Sequence, residues 1–265
     1  MDGIADYEFV RSLGDGNHGE YFLARKPDRL PIDAEHVAVK VLSGPTTEDV
    51  FRRATRELAA FAAVRSPYLV SLFDAGQQGG VFYYSMEYLP GGSLAAPAEE
   101  ANTARRLTAV AHAARAAHAL HEAGIVHRDI KPGNVLLHSH GAKLSDLGLS
   151  QVLSPGVTLT GMGPLGSVEF TDPALLQGDP PSRASDIFSL GVTLHRSLSG
   201  RGLYGDLPEH DPVLVLRKVL STAPDVAADL PAETAEVVRW AIAPDPSSRP
   251  ATALELAERI EALAA

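Results

Sequence analysis

The spacing of apolar residues changes once along this chain, and that change limits the folds open to it. Before about residue 90 they fall in short runs rich in β-branched and aromatic residues, "YEFVRSL", "YFLAR", "VAVKVL" and "VFYYSMEYL". From about Ala98 they recur every three or four residues. Strands first and helices afterwards predict an α+β protein, with an antiparallel meander rather than alternating β/α units. One helix interrupts the strands. In "TTEDVFRRATRELAAFAAV", Val50, Ala54, Leu58 and Phe61 share a face, and Thr46 with Asp49 has the pattern of a capping box.

The second part opens with a helix in "ANTARRLTAVAHAARAAHALHEAG", where Leu107, Val110, Ala114, Ala117 and Leu120 keep helical spacing and Gly124 is a stop. "NVLL" and "AKLSDLG" predict two short strands. Residues 149–183, rich in Gly, Pro, Ser and Thr, predict a long functional loop. The last 80 residues read as mostly helical, with Leu256, Ile260 and Leu263 on one face. "PGGS" at 90–93 breaks the preceding strand and suggests a hinge.

Composition excludes several classes. A net charge of −10 argues against non-specific binding to nucleic acid or anionic membranes. The chain has no cysteine, which rules out disulfides and thiolate-ligated metals. "MDGIADYEFV" lacks the basic and apolar regions of a signal peptide, and no apolar run reaches the roughly 18 residues of a membrane span. The expected compartment is the cytoplasm. The abundance of alanine reads as genome composition.

Four stretches carry chemistry. "LGDGNHGEYFLAR" holds Gly14, Gly16 and Gly19 between two strands; it fits a phosphate-cradling turn or a plain hairpin, and its setting argues against a dinucleotide fold. Lys40 ends "VAVK", and Glu57 follows on the predicted helix. A glutamate can steady a lysine that presents its ammonium to phosphate, although Glu57 reads equally well as an exposed helix charge. "HRDIKPGN" offers Asp129 as a base, Asn134 as an oxygen ligand for a hard cation and Lys131 as a neutralising charge. Asp146 in "KLSDLG" follows Asn134 by twelve residues, a gap that a strand, a turn and a strand would span, bringing two metal ligands together. A turn aspartate before Gly148 is the plainer reading.

In this order the stretches resemble the eukaryotic-type (Hanks-type) serine/threonine protein kinases, most closely the bacterial members, from about Tyr7 to Leu263. "GDGNHG" resembles the glycine-rich loop, "HRDIKPGN" the catalytic loop and "DLG" the metal-binding motif, with Leu147 for phenylalanine. "GSVEFTDP" resembles the end of the activation segment, "SDIFSLG" the helix with the bracing Asp186, and "DPSSRP" the site of Arg249. The resemblance implies one kinase domain over 1–265 with a bilobal fold. A small antiparallel β lobe with one key helix would take about 1–88, a hinge 89–94, and a larger, mainly helical lobe 95–265.

It also implies roles. Lys40, paired with Glu57, would hold the ATP phosphates, and Asp129 would accept or orient the proton of a substrate hydroxyl. Lys131 would contact the γ-phosphate, and Asn134 with Asp146 would hold Mg²⁺ (or Mn²⁺). Leu13, Tyr21, Ala38, Met86 and Leu136 would surround the adenine, with the backbone of Glu87 and Leu89 at its edge. His127, Leu147, Phe61 and Leu72 would stack as a regulatory column. Arg128 would receive a phosphate on Thr158 or Thr160 after trans-autophosphorylation in a transient homodimer, and Ser167 would support Asp129 and Lys131. The partners implied are ATP and proteins bearing Ser or Thr, without nucleic acid, in a free cytoplasmic enzyme or the cytoplasmic domain of a longer membrane protein.

Two departures stand out. Tyr21 replaces a valine and would crowd the nucleotide. Ala174 replaces a glutamate and leaves Arg249 without its usual partner, unless Asp172 substitutes. Ser93 and Gly133 occupy positions where acidic readers of basic substrates often stand, so no strong basic-motif preference is expected. A pseudokinase that binds nucleotide or acts as a scaffold, and a small-molecule phosphotransferase of related fold, are the rival readings. His112, His118 and His121 read as packing or capping residues, Trp240 as core, and Glu99 with Glu100 as a solvated helix start.

Overall fold

The computed structural model describes residues 2–16, 19–44, 46–146, 165–208 and 211–264. Contacts divide them into two units, one of residues 2–63 and 70–88, the other of residues 64–69, 89–146 and 165–264.

The first unit is built on β4 (His36–Leu42), a strand buried along nearly its whole length. Side chains alternate across a strand. Val37, Val39 and Val41 therefore point to one core with Tyr7, Ala24, Leu30 and Tyr83, while Ala38, Lys40 and Leu42 point the other way. Around β4 lie β1 (Gly3–Ile4), β2 (Tyr7–Gly16), β3 (Gly19–Arg25), β5 (Leu72–Gln78) and β6 (Val81–Glu87), in the order β1-β2-β3-β4-β6-β5. Every pairing is antiparallel. The expected meander is thus present, extended by two strands that the sequence did not suggest.

β5 escaped notice because "LFDAGQQ" has polar residues and a glycine where a strand normally alternates, and its pairing slips between Leu72 and Asp74. Tertiary partners account for the polar position. Asp74 accepts from the Tyr7 hydroxyl at 2.9 Å and from Arg29 Nη2 at 2.6 Å, and Arg29 also binds Asp6. Burial, the largest cause, pushes the Tyr7 phenol up to about 12.

α1 (Glu48–Ala63) buries Ala54, Leu58 and Phe61 as its periodicity predicts, and Phe51 meets Phe82 edge-on at 5.4 Å. Its cap is shifted by one residue: Thr47 Oγ1 accepts from Val50 N, while Thr46 N donates to Gly80 O.

In the second unit the expected helix is α2 (Thr103–Glu122), capped by Asn102, whose side chain accepts from Arg105 N at 2.9 Å. Ala109, Ala111, Ala113, Ala114, Ala116 and Ala117 are buried around most of its circumference. Small side chains let neighbours approach α2 closely on several sides, so here alanine is a packing requirement. Those neighbours include α4 (Arg183–Ser199) and α7 (Ala253–Ala264). α3 (Pro173–Leu176), α5 (Pro212–Ser221) and α6 (Ala232–Ala241) complete the helices described. Trp240, expected in the core, is half-buried. β7 (Val135–His138) and β8 (Gly141–Leu144) form the expected hairpin. "PGGS" lies along it, with Leu137 N donating to Gly92 O and Leu94 N to Val135 O, both at 2.8 Å. Among the described residues no helix is long and apolar enough to cross a membrane.

Arg249 has its partner. Its guanidinium is 1% exposed and pairs with Asp172, gives Nε–H to Ala243 O at 2.8 Å and Nη1–H to Ala184 O at 2.9 Å, and lies over the Phe188 ring. The carboxylate missing at Ala174 is supplied from two residues upstream, where Asp172 also caps α3 through Ala174 N. Removing one member of a buried pair strands the other charge, at a cost of about 3–5 kcal/mol. Asp172→Ala should lower the unfolding free energy measured in urea by that amount, and Asp172→Ala with Arg249→Met should be less destabilised than Asp172→Ala alone.

Candidate active site

Residues singled out from the sequence gather on one face of the sheet in the first unit. Lys40 faces Tyr21 across the β3–β4 ladder and Tyr84 across the β4–β6 ladder; Ala38 faces Leu23 and Met86. Tyr21, Ala38, Lys40 and Met86 therefore share a surface, as strand alternation requires. Lys40 is buried, with Nζ 4.6 Å from the Tyr21 ring centroid. Half-buried Glu57 stands on α1, the helix whose Phe51 packs on Phe82 of β6. The N–H of Glu87 donates to Ser71 O at 2.9 Å, so that N–H is already engaged. Leu13 and Gly14 lie in β2, which ends at Gly16, and β3 starts at Gly19. Gly14 has φ 114°, and a Cβ on Gly19 would sit 2.3 Å from Val41 O, so both positions need glycine for backbone reasons. Phe61 and Leu72 of the expected column also belong to this unit.

The second unit holds the other cluster. Lys131 Nζ is 2.9 Å from both carboxylate oxygens of Asp129 and 3.4 Å from Ser167 Oγ. Asn134 Nδ2 donates to Asp129 O at 2.7 Å and Asp129 Oδ2 at 3.0 Å, which turns Asn134 Oδ1 away as an acceptor for other groups. The β7–β8 hairpin returns the chain beside Asn134: Ser145 N donates to Asn134 O at 2.9 Å, and Ser145 Oγ donates to Asp146 Oδ2 at 3.0 Å. Ser145 thus links the backbone of Asn134 to the carboxylate of Asp146. An amide oxygen and a carboxylate at the end of one hairpin suit a hard divalent cation completed by water and phosphate. Leu89 and Leu136 belong to this unit, half-buried. Leu147, Thr158 and Thr160 lie outside the described residues.

Asp186 holds this loop in place. Its buried carboxylate accepts from His127 N at 2.8 Å, Arg128 N at 2.9 Å and His121 Nε2 at 2.8 Å. Arg128 has φ 71° and Asp146 φ 58°. Left-handed backbone is uncommon for such residues and marks over-determined, functional segments. His121 and Ser145 are functional supports that sequence reasoning missed. His121 reads as helix packing because its partner lies 65 residues away.

Residues 7–259 match the model of the protein kinase domain. The chain belongs to the protein kinase family. Among similar proteins, serine/threonine-protein kinase PknK of Mycobacterium tuberculosis is 33% identical over 269 residues, covering 97% of this chain and 23% of the relative. PknJ of the same organism is 32% identical, covering 96% and 44%, and PrkC of Bacillus subtilis 32%, covering 74% and 30%. The chain thus spans less than half the length of these relatives. The crystal structure of a point mutant of the M. tuberculosis PknI kinase domain covers 100% of this chain and 99% of its own at TM-score 0.72 and 24% identity. The bacterial serine/threonine kinase resemblance and the α+β kinase fold read from the motifs are borne out. Family membership implies use of ATP, a divalent metal and protein substrates.

Within the kinase domain, His127 is fully buried and tied at both ring nitrogens. Nε2 donates to Ser145 O at 3.0 Å, while Nδ1 accepts from Asp129 N at 3.3 Å. Burial, the largest cause, lowers its pKa from the ordinary 6.5. Protonation would turn Nδ1 into a donor facing a donor. Burial lowers the pKa values of His112 and His195 as well. Below about pH 6.5 the unfolded chain binds these protons before the native one does, so stability rises with pH through this window. The contribution is complete above about pH 6.5 and is lost as pH falls towards the depressed native values. Urea midpoints should therefore fall between pH 7.5 and 5.5; a flat profile would contradict this reading of the histidines. Asp186→Asn places an amide donor against a backbone donor and should lower turnover by about tenfold or more, with a smaller loss in melting temperature than Asp172→Ala.

Proposed function

We propose that this domain transfers the γ-phosphate of Mg²⁺-bound ATP (Mn²⁺ substituting) to serine or threonine hydroxyls of proteins. The cluster of Asp129, Lys131 and Asn134 carries the reading. It joins a carboxylate that is 24% exposed, a cation bound to both its oxygens, and an amide whose donors fix that carboxylate. Asp129 receives the proton of the attacking hydroxyl as its oxygen bonds to the γ-phosphorus and the bond to the β–γ bridging oxygen breaks. Lys131 stabilises charge on the transferring group, and Ser167 steadies Lys131. Asn134 and Asp146 hold the divalent cation, which draws charge from the phosphate oxygens when bound. Lys40, with Glu57, positions the phosphates beneath Gly14, Gly16 and Gly19. Leu13, Ala38, Met86, Leu136 and the backbone of Glu87 and Leu89 receive the adenine. Asp186 and Arg128 shape the catalytic loop, and Arg249 anchors the segment that follows Ser167.

Thr158 and Thr160 are the proposed autophosphorylation sites, modified in trans and read by Arg128 through charge-assisted hydrogen bonds. A donor such as ATP sets the domain in the cytoplasm, free or as part of a longer protein.

With radiolabelled ATP, Mg²⁺ and a generic protein acceptor, Asp129→Asn and Lys40→Met should each lower turnover by about 10²-fold or more. Labelling that persists in both variants, or is absent in wild type as well, rejects the enzyme. After incubation with Mg-ATP, mass spectrometry should find phosphate on Thr158 or Thr160; a fully active domain with both bare rejects the autophosphorylation proposal.

A further inference from the structure

Tyr21 is fixed in β3 opposite Gly14 of β2 and Lys40 of β4. Its ring lies 4.6 Å from Lys40 Nζ, with the Tyr84 ring 6.0 Å from the same nitrogen. A Cβ built on Gly16 would come 2.2 Å from Tyr21 Cε2, so the ring rests against the open face of that glycine. Lys40 is only 7% exposed. A cation shielded from water gains more from an aromatic face than an exposed one does. The ring therefore spans the two groups, an ammonium and a side-chain-free backbone, that a polyphosphate would have to reach. The ring meets Gly16 and Lys40, whereas the base is proposed to sit by Ala38 and Met86.

We propose that Tyr21 is a nucleotide gate: in the free domain its ring occupies the phosphate side of Lys40 and Gly16, and ATP binds only after the ring swings away. This rests on the nucleotide site proposed above. Tyr21 is half-buried, so a rotamer change can carry the ring towards solvent without breaking the ladder. Apparent affinity falls by the fraction of molecules with the ring displaced, and a residue without a ring removes that loss. The gate opposes phosphate rather than base, so a ligand without a base must report it.

The test is calorimetric titration of wild type, Tyr21→Val, Tyr21→Leu and Tyr21→Phe with Mg-ATP and with magnesium tripolyphosphate. Valine suits a strand, and leucine provides a second ring-free variant should either fold poorly. Both should bind both ligands about tenfold more tightly than wild type, while Tyr21→Phe stays within about twofold of it. Acetylation of Lys40 by a sulfosuccinimidyl ester, without nucleotide, should be about tenfold faster in Tyr21→Val than in wild type. Weaker Mg-ATP binding with unchanged tripolyphosphate binding would make Tyr21 a platform for the base and overturn the gate. So would equal affinities throughout, or equal acetylation rates. If neither wild type nor variants bind Mg-ATP, the nucleotide site itself falls, and the gate with it. Binding by wild type with no gain in the ring-free variants defeats the gate alone.

Discussion

The carboxylate of Asp186 is the contact on which the second unit's chemistry depends. It takes the N–H groups of His127 and Arg128 and the imidazole of His121 in one buried place. Successive amides aimed at one carboxylate hold Arg128 in a left-handed turn that an arginine would otherwise avoid. From that turn Asp129 emerges where Lys131 and Asn134 reach it. Because Asp186 sits in the first turn of α4, the loop is fixed to a rigid element, which suits a site that must hold its geometry through turnover.

A second line of hydrogen bonds carries this order to the proposed metal ligands. His127 joins Asp129 N to Ser145 O, and Ser145 joins Asn134 to Asp146. The proposed base and the proposed metal ligands thus share one network, with His127 as its pivot. In the first unit the ordering principle is strand alternation: β4 sends its valines to the core and Ala38 with Lys40 to the opposite face. Tyr21 is the exception placed on that face, since its aromatic ring adds a contact to the very cation that the proposed reaction needs.

Much of the site was readable in the sequence because its members are close along the chain or lie on regular elements. Asp129, Lys131 and Asn134 are within six residues, and the twelve-residue gap to Asp146 fits one hairpin. The pairing of Arg249 with Asp172 was legible only as an alternative, because a change of two residues along the chain matters less than where α3 begins. β5 and His121 were not legible. A strand with Asp74 and Gly76 looks like a turn until Tyr7, Arg29 and Tyr83 are beside it. A histidine near the end of an alanine-rich helix looks like packing until Asp186 arrives from 65 residues away.

The sequence by itself determined what depends on local spacing: strands before helices, the glycine turn, the order of the motifs and the chemical types at the centre. Tertiary structure alone decided what depends on distant segments meeting in a dry interior. It chose Asp172 as the partner of Arg249, His121 as a prop for Asp186, and the Tyr21 ring as the cover over Lys40. A buried charge or N–H must find a partner wherever the fold supplies one, and distance along the chain does not reveal which residue that will be.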